Sequence, residues 1–325
     1  MDYEIITTLG PSSEHEQVWK SLLAVGVTGF RLNTSHLSLP QLREWVERLG
    51  SFLSHRDLRL PLVLDLQGSK WRLGQFAPRD LASGERVELV YAVSADRPDV
   101  LPIPHADFFQ AAAVSSGEIV LNDAKLRLAV ESRRADAICA RVIQGGGIAP
   151  RKGITYTASK YRHESLSEMD QAVLGETTHL AGVRYAISYV KDAVEMAHYR
   201  AQMGASAYLI AKLERQLAVD EAGQIAMSAD ELWLCRGDLG AELNAQAMAA
   251  AAFRFSKQVG TLRVPVLLAG QVFEHMTEHQ APTRSELCAA YDALMNGYRG
   301  FVLSDETAIG RDPIESCRIA ASFRV

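Results

Sequence analysis

Eight short apolar runs, each followed by a stretch of helix-like sequence, set the tightest limit on how this 325-residue chain can fold. The runs are Ile5–Thr8, Gly29–Leu32, Leu62–Leu64, Tyr185–Ser188, Tyr208–Ala211, Leu232–Leu234, Val266–Leu268 and Gly300–Leu303. Near-continuous apolar runs suit strands covered on both faces, and their alternation with helices builds parallel βα units. Between them, Gln41–Leu53 and the Ala-rich Asn244–Val259 carry apolar residues at helical spacing. The expected fold is therefore α/β, a (β/α)8 TIM barrel.

One stretch breaks this rhythm. From Leu73 to Tyr161 the pattern turns to short alternating runs: Arg86–Tyr91, Ile119–Leu121, Leu126–Val130 and Ile138–Val142. Pro98, Pro102, Pro104 and Gly145 to Gly147 punctuate them. The spacing predicts a small all-β domain inserted after strand 3. Residues 1–72 and 162–325 would then form the barrel, and 73–161 the insertion.

Composition narrows the class. Apolar residues make up 48% of the chain and the formal net charge is −5, which argues against a nucleic-acid partner. The four cysteines (139, 235, 288 and 317) form no CxxC pair, as expected of a reduced, cytoplasmic setting. The N-terminus has no signal-peptide pattern, and no run approaches the ~20 apolar residues of a membrane span. No membrane association is expected.

Chemistry gathers at the ends of the predicted strands, the face on which such barrels build active sites. Lys212 closes one apolar run, and Lys212 and Glu214, two residues apart, share a face. Arg236-Gly237-Asp238-Leu239-Gly240 follows the next run and sets an acid beside a glycine that lets backbone approach a ligand. Two carboxylates with an ammonium suit a hard divalent cation and a developing negative charge. Arg31, Asn33 and Ser35 share one face by the same period of two. Asp65 closes the third strand, where a buried acid needs a cation or hydrogen-bond donors.

Together these motifs resemble the pyruvate kinase family, in order and over nearly the whole chain. The matching segments are Thr7 to Ser13, Arg31 to His36, Asp65 to Arg72, Lys212 to Glu214, Arg236 to Gly240, Gln271, Pro282-Thr283-Arg284, and Leu303 to Ala308. The resemblance implies that the insertion is a mobile lid and that the family's C-terminal allosteric domain is absent. It implies Lys212, Arg31 and Ser304 as catalytic residues, with Ser304 delivering a proton to an enolate; simple helix capping is the competing reading of Ser304. Glu214 and Asp238 would ligate Mg2+ or Mn2+. Arg31, Gly237, Asp238, Gly270 and Gln271 would bind substrate. Pro11, Asn33, His36, Arg72, Asp123 and Lys152 would bind nucleotide. Asn33, Ser35, Asp65 and Lys70 would form a monovalent-ion site or its replacement.

Several departures from the family pattern stand out. Lys70 occupies the place of a glutamate in potassium-dependent relatives, so its ammonium implies that potassium is not required; a solvated loop lysine is the alternative. Gly270, in Leu268-Ala269-Gly270-Gln271, stands where the family carries a threonine that binds the substrate carboxylate. Ala289 replaces an aspartate, and Asn122 and Ala124 flank Asp123 where Asp and Gly are usual. Separately, His275 to His279 fits an H-x-x-E-H zinc pattern that still needs a further protein ligand. Gly145-Gly146-Gly147 is no P-loop, because no Gly-Lys-Ser/Thr follows.

The resemblance implies phosphoryl transfer between phosphoenolpyruvate and ADP, giving pyruvate and ATP, with a homodimer as a compatible assembly. Two alternatives stay open: a divergent enzyme for another enolate-type acid, and a catalytically silent ligand-binding or regulatory protein.

Overall fold

The computed structural model describes residues 2–114, 117–121, 126–157 and 166–324. All eight expected strands are present: β1 (Glu4–Thr8), β2 (Gly29–Asn33), β3 (Leu62–Leu66), β4 (Val183–Ile187), β5 (Tyr208–Leu213), β6 (Glu231–Cys235), β7 (Val266–Ala269) and β8 (Gly300–Leu303). They close into a barrel in which each strand pairs in parallel with its neighbours in sequence, β8 returning to β1. This is the expected (β/α)8 architecture. Helices follow the strands, among them Glu16–Ala24, Leu39–Ser54, Ala193–Met203 and Arg284–Met295. The last of these starts at Thr283, whose side chain accepts from the Glu286 amide in a reciprocal capping box.

Register stacks the barrel interior in layers. Ile6, Val63, Ala186, Ile210, Trp233, Leu267 and Val302 share one buried apolar cluster. Gly29 registers with Ile6, and a Cβ there would come within 2.7 Å of Ile6 Cδ1, so the layer is filled without it. Side chains two residues further along a strand point the same way. Thr8, Asp65 and Lys212 therefore stand above this layer, as do Ser188 and Ser304 just past the ends of β4 and β8. Two residues earlier lie Glu4, Arg184, Tyr208 and Glu231, a polar floor. Arg184 Nη1 bridges Glu4 (3.0 Å) and Glu231 (3.1 Å), while Tyr208 Oη and Trp233 Nε1 also donate to Glu231.

The chain divides into two compact units. One comprises Met1–Gly68, Leu166–Arg236 and Ala250–Val325; the other comprises Ser69–Ser165 and Gly237–Ala249. The second contains a six-stranded sheet in the order Ile154–Tyr156, Glu118–Leu121, Leu126–Arg133, Ala137–Gln144, Arg86–Val90, Val100–Pro102. Its core is apolar, with Trp71 edge-on to Phe108 at 5.2 Å and Leu89, Leu128 and Ile138 around them. It also holds a helix, Ala106–Val114, where a strands-only reading of this segment expects none. That helix buries Phe108 and Phe109 in the same core. Among the described residues, no helix is long and apolar enough to cross a membrane.

Candidate active site

Asp65 organises the upper layer of the barrel. Its Oδ2 accepts from Arg31 Nε (2.8 Å) and Nη2 (2.5 Å), and both carboxylate oxygens lie 3.1 Å from Lys212 Nζ. Ser188 Oγ donates to Asp65 Oδ1 at 3.1 Å and accepts from Lys212 Nζ at 2.9 Å. Lys212 also pairs with Glu214 Oε1 at 3.0 Å, and Glu214 Oε2 accepts from the Tyr189 amide at 2.8 Å. Arg31 Nη1 reaches Thr8 Oγ1 at 2.6 Å, and that hydroxyl donates on to the Leu303 carbonyl. Arg31, Asp65, Lys212 and Glu214 are all buried.

Two cations and two anions thus neutralise one another away from water. Burial by itself would raise the Asp65 pKa, but the charges of Lys212 and Arg31 overcome it and hold the carboxyl well below its usual range. Burial would lower Lys212; Asp65 and then Glu214 outweigh it and keep the ammonium charged. Arg31 is held charged in the same way, chiefly by Asp65.

Ser188 and Tyr189 are site residues that sequence reasoning missed. The signal was available: Ser188 lies two residues beyond Ala186, on the inward face of β4. Gly68 makes its placement achievable. At φ +58°, a Cβ on Gly68 would fall 2.2 Å from the Ser188 carbonyl oxygen, so only glycine lets the exit from β3 pass so close. Tyr189 itself has φ +60°, an unusual conformation for a bulky residue, and it aims the amide at Glu214. Asp170 holds the same corner, accepting from the Gln67 amide at 2.9 Å and the Gly68 amide at 3.0 Å.

The other predicted residues of the barrel unit lie around its strand ends. Asn33 Oδ1 accepts from the Ser35 amide at 3.3 Å, and among the described residues Ser35 Oγ has no hydrogen-bond partner. Pro11 opens an exposed turn after β1, and His36 is exposed after β2. Ser304 precedes the short helix Asp305–Ala308 but makes no side-chain cap; its amide instead donates to Glu306 Oε2 at 2.8 Å. Glu306 also takes the Phe273 amide, and burial pushes its carboxyl up to about 7.

Gly270 and Gln271 adopt consecutive left-handed conformations, φ +70° and +56°. Their carbonyls accept from Arg236 Nε (3.3 Å) and Nη2 (2.5 Å). Gly270 was expected only to lack a hydroxyl. It also supplies a backbone conformation that a β-branched residue disfavours.

Within the second unit, Lys70 Nζ lies 2.5 Å from Asp238 Oδ1, with both side chains largely buried. The reading of Lys70 as a solvated lysine does not hold. Arg72 bridges to Gly153 and donates from Nη1 to the Arg151 carbonyl, while the Leu73 amide bonds the Lys152 carbonyl. Two predicted nucleotide residues, Arg72 and Lys152, therefore come together. Asp123, with Asn122 and Ala124, lies outside the described residues. Gly237 and Asp238 sit in the first turn of helix Arg236–Leu243, whose amides lack intrahelical acceptors. A Cβ on Gly237 would meet nothing within 4 Å, so protein packing does not demand glycine there.

Glu214 and Asp238 offer hard carboxylate oxygens of the kind Mg2+ and Mn2+ take, and each is charge-balanced by a lysine. Among the described residues, no group of three or more His, Cys, Asp or Glu is assembled for a metal. The H-x-x-E-H segment is not a zinc site in this geometry. The His275 and His279 rings stack in parallel at 3.7 Å, so their lone pairs run side by side instead of converging.

Comparison with known proteins gives a consistent picture. The family model described as pyruvate kinase, barrel domain, matches residues 2–317. A pyruvate kinase of Agrobacterium vitis is 28% identical over 319 residues, covering 97% of this chain and 66% of that protein. One of Mycobacterium intracellulare is 30% identical over 320 residues, covering 97% and 68% respectively. The chain thus spans about two thirds of the length of these relatives. The crystal structure of a pyruvate kinase from Cryptosporidium parvum superposes with a TM-score of 0.83 and 22% identity, over 98% of this chain and 68% of that one.

Proposed function

Because the chain belongs to the pyruvate kinase family, we propose that it transfers a phosphoryl group between phosphoenolpyruvate and ADP. In this reaction the enol P–O bond of phosphoenolpyruvate breaks, a bond forms to the terminal phosphate oxygen of ADP, and the resulting enolate takes up a proton to give pyruvate. Such transfers are catalysed mostly by positioning and charge. The observation that carries the reading is the buried Arg31–Asp65–Lys212–Glu214 quartet.

Arg31 has five N–H groups, of which three are donated to Asp65 and Thr8. The remaining two can orient the substrate phosphate. Lys212, pinned by Asp65, Ser188 and Glu214, holds a fixed positive charge for the phosphoryl group in transit and needs no rearrangement to do so. Amides near Gly237 and Asp238 would take the substrate carboxylate. Ser304, whose hydroxyl is not used as a helix cap, would deliver the proton to the enolate. Arg72 and Lys152 would contact the nucleotide phosphates. Glu214 and Asp238 would hold Mg2+ or Mn2+, which when bound neutralises charge on the phosphoryl oxygens. With the Lys70 ammonium standing where potassium-dependent relatives carry a glutamate, the reaction would proceed without potassium.

One observation favours a second reading. Gly270, in its left-handed turn, offers no side-chain donor where the family's threonine meets the carboxylate. This fits a related enolate-forming acid as substrate.

The test is a coupled assay of phosphoenolpyruvate with several nucleoside diphosphates, in Mg2+ and in Mn2+. Metal-dependent pyruvate formation is expected. Phosphoenolpyruvate binding without turnover would replace the proposal with a silent binder, and turnover of another acid alone would favour the second reading.

A further inference from the structure

The proposed chemistry leaves the Lys70–Asp238 contact unexplained. Lys70 Nζ sits 2.5 Å from Asp238 Oδ1, and Lys70 is only 8% exposed. The surroundings are shaped for it. Gly153 is a glycine against which the lysine stem lies: a Cβ there would come within 2.7 Å of Lys70 Cε and 3.3 Å of Nζ. Next to it, the Arg72–Gly153 bridge and the bond from the Ile154 amide to the Trp71 carbonyl fix the two backbone segments. The ammonium is therefore built into place and not a flexible surface charge.

From this we infer that Lys70 is an internal counter-ion that competes with the divalent metal for Asp238. The inference rests on the reading of Asp238 as a metal ligand. A divalent ion coordinates a carboxylate oxygen at about 2.0–2.1 Å for Mg2+, within the space the Lys70 ammonium takes on Oδ1. A mono- and a dication crowded on one carboxylate repel strongly where water is scarce. When the metal is absent, the Lys70 ammonium offsets charge on the partly buried Asp238 carboxylate. When the metal arrives, the ammonium has to leave Oδ1. Metal binding to the protein alone is accordingly weak, and it strengthens when an anionic substrate brings negative charge that can receive both cations. Asp238 is thereby coupled to substrate arrival: the metal loads together with the phosphorylated acid, not ahead of it.

The test measures Mn2+ binding by electron paramagnetic resonance in the absence of substrate, for the unmodified chain, Lys70→Met, Lys70→Arg and Asp238→Asn. Lys70→Met is expected to bind Mn2+ at least about tenfold more tightly, which at ~1.4 kcal/mol per decade is a modest share of a close charge–charge interaction. Lys70→Arg, which keeps the charge, should stay near the unmodified protein. Asp238→Asn should lose the site. If Lys70→Met leaves Mn2+ affinity unchanged or weakens it while Asp238→Asn abolishes binding, Lys70 positions Asp238 and does not compete, and the inference falls alone. If Asp238→Asn binds Mn2+ as before, the metal-ligand reading and the inference fall together. Circular dichroism checks that each variant is folded, and Lys70→Gln serves as a second neutral replacement if the methionine variant is not.

Discussion

Lys212 Nζ stands 3.1 Å from each carboxylate oxygen of Asp65, so the two residues form a symmetric buried ion pair at the mouth of the barrel. Arg31 completes it from the other side at 2.5 Å. Removing one member of such a cluster strands charge in a place water does not reach.

Asp65→Asn should therefore destabilise the fold by about 3–5 kcal/mol, the usual cost of breaking a buried pair. Urea denaturation measures it. The Asp65 carboxyl titrates well below its ordinary 3.8, so its contribution is fully present above about pH 4 and is lost as pH falls further. The variant should lose this acid-side slope. A loss under about 1 kcal/mol would mean that the quartet is solvated in solution.

Glu231, in the barrel floor, behaves oppositely. Burial pushes its carboxyl from 4.5 up to about 7, against the pull of Trp233 and Arg184. Between those values the folded state keeps a proton that the unfolded state releases, so stability falls as pH rises through this window. Glu306, also raised to about 7, acts in the same direction. Glu231→Gln should flatten the fall in unfolding free energy between about pH 4.5 and pH 7, with Glu306 accounting for what remains. An unchanged slope would show that Arg184 keeps Glu231 ionised.

The two glycines of the strand ends should respond differently. Gly270→Thr puts a β-branched residue at φ +70° and should cost roughly 1–2 kcal/mol in stability. Restoring the family's threonine at this single position is thus not a simple gain of a hydroxyl. Gly237→Ala meets open space and should leave the melting temperature unchanged. If amides near Gly237 receive the substrate carboxylate, Gly237→Ala should still raise the KM for phosphoenolpyruvate. Equal melting-temperature losses in both variants would contradict this division.

Potassium supplies a fourth test. Lys70 already carries the charge that a monovalent ion would add in potassium-dependent relatives, so no further cation is needed. Turnover in potassium should lie within about twofold of turnover in sodium at equal ionic strength, as expected if no extra charge is needed. A strong potassium requirement would assign the orphan hydroxyl of Ser35 to a working cation site.

The eightfold alternation of apolar runs and helices determined the barrel, because a strand buried on both faces leaves an unmistakable run of apolar residues. The ends of the apolar runs likewise marked Lys212 and Asp65 as strand-end residues. Helix Ala106–Val114 was hidden inside a stretch whose neighbours alternate, since nine residues give little more than two turns of periodicity. What the sequence could not decide was which charge meets which. Lys70 and Asp238 are 168 residues apart, Lys212 and Asp65 are 147 apart, and Ser188 joins the latter pair from a third strand. Partner choice depends on barrel stagger and on backbone conformations such as those of Gly68, Tyr189 and Gly270. Those are set by packing across the whole fold, and they bring Lys70 against Asp238, a pairing that no local pattern in the sequence shows.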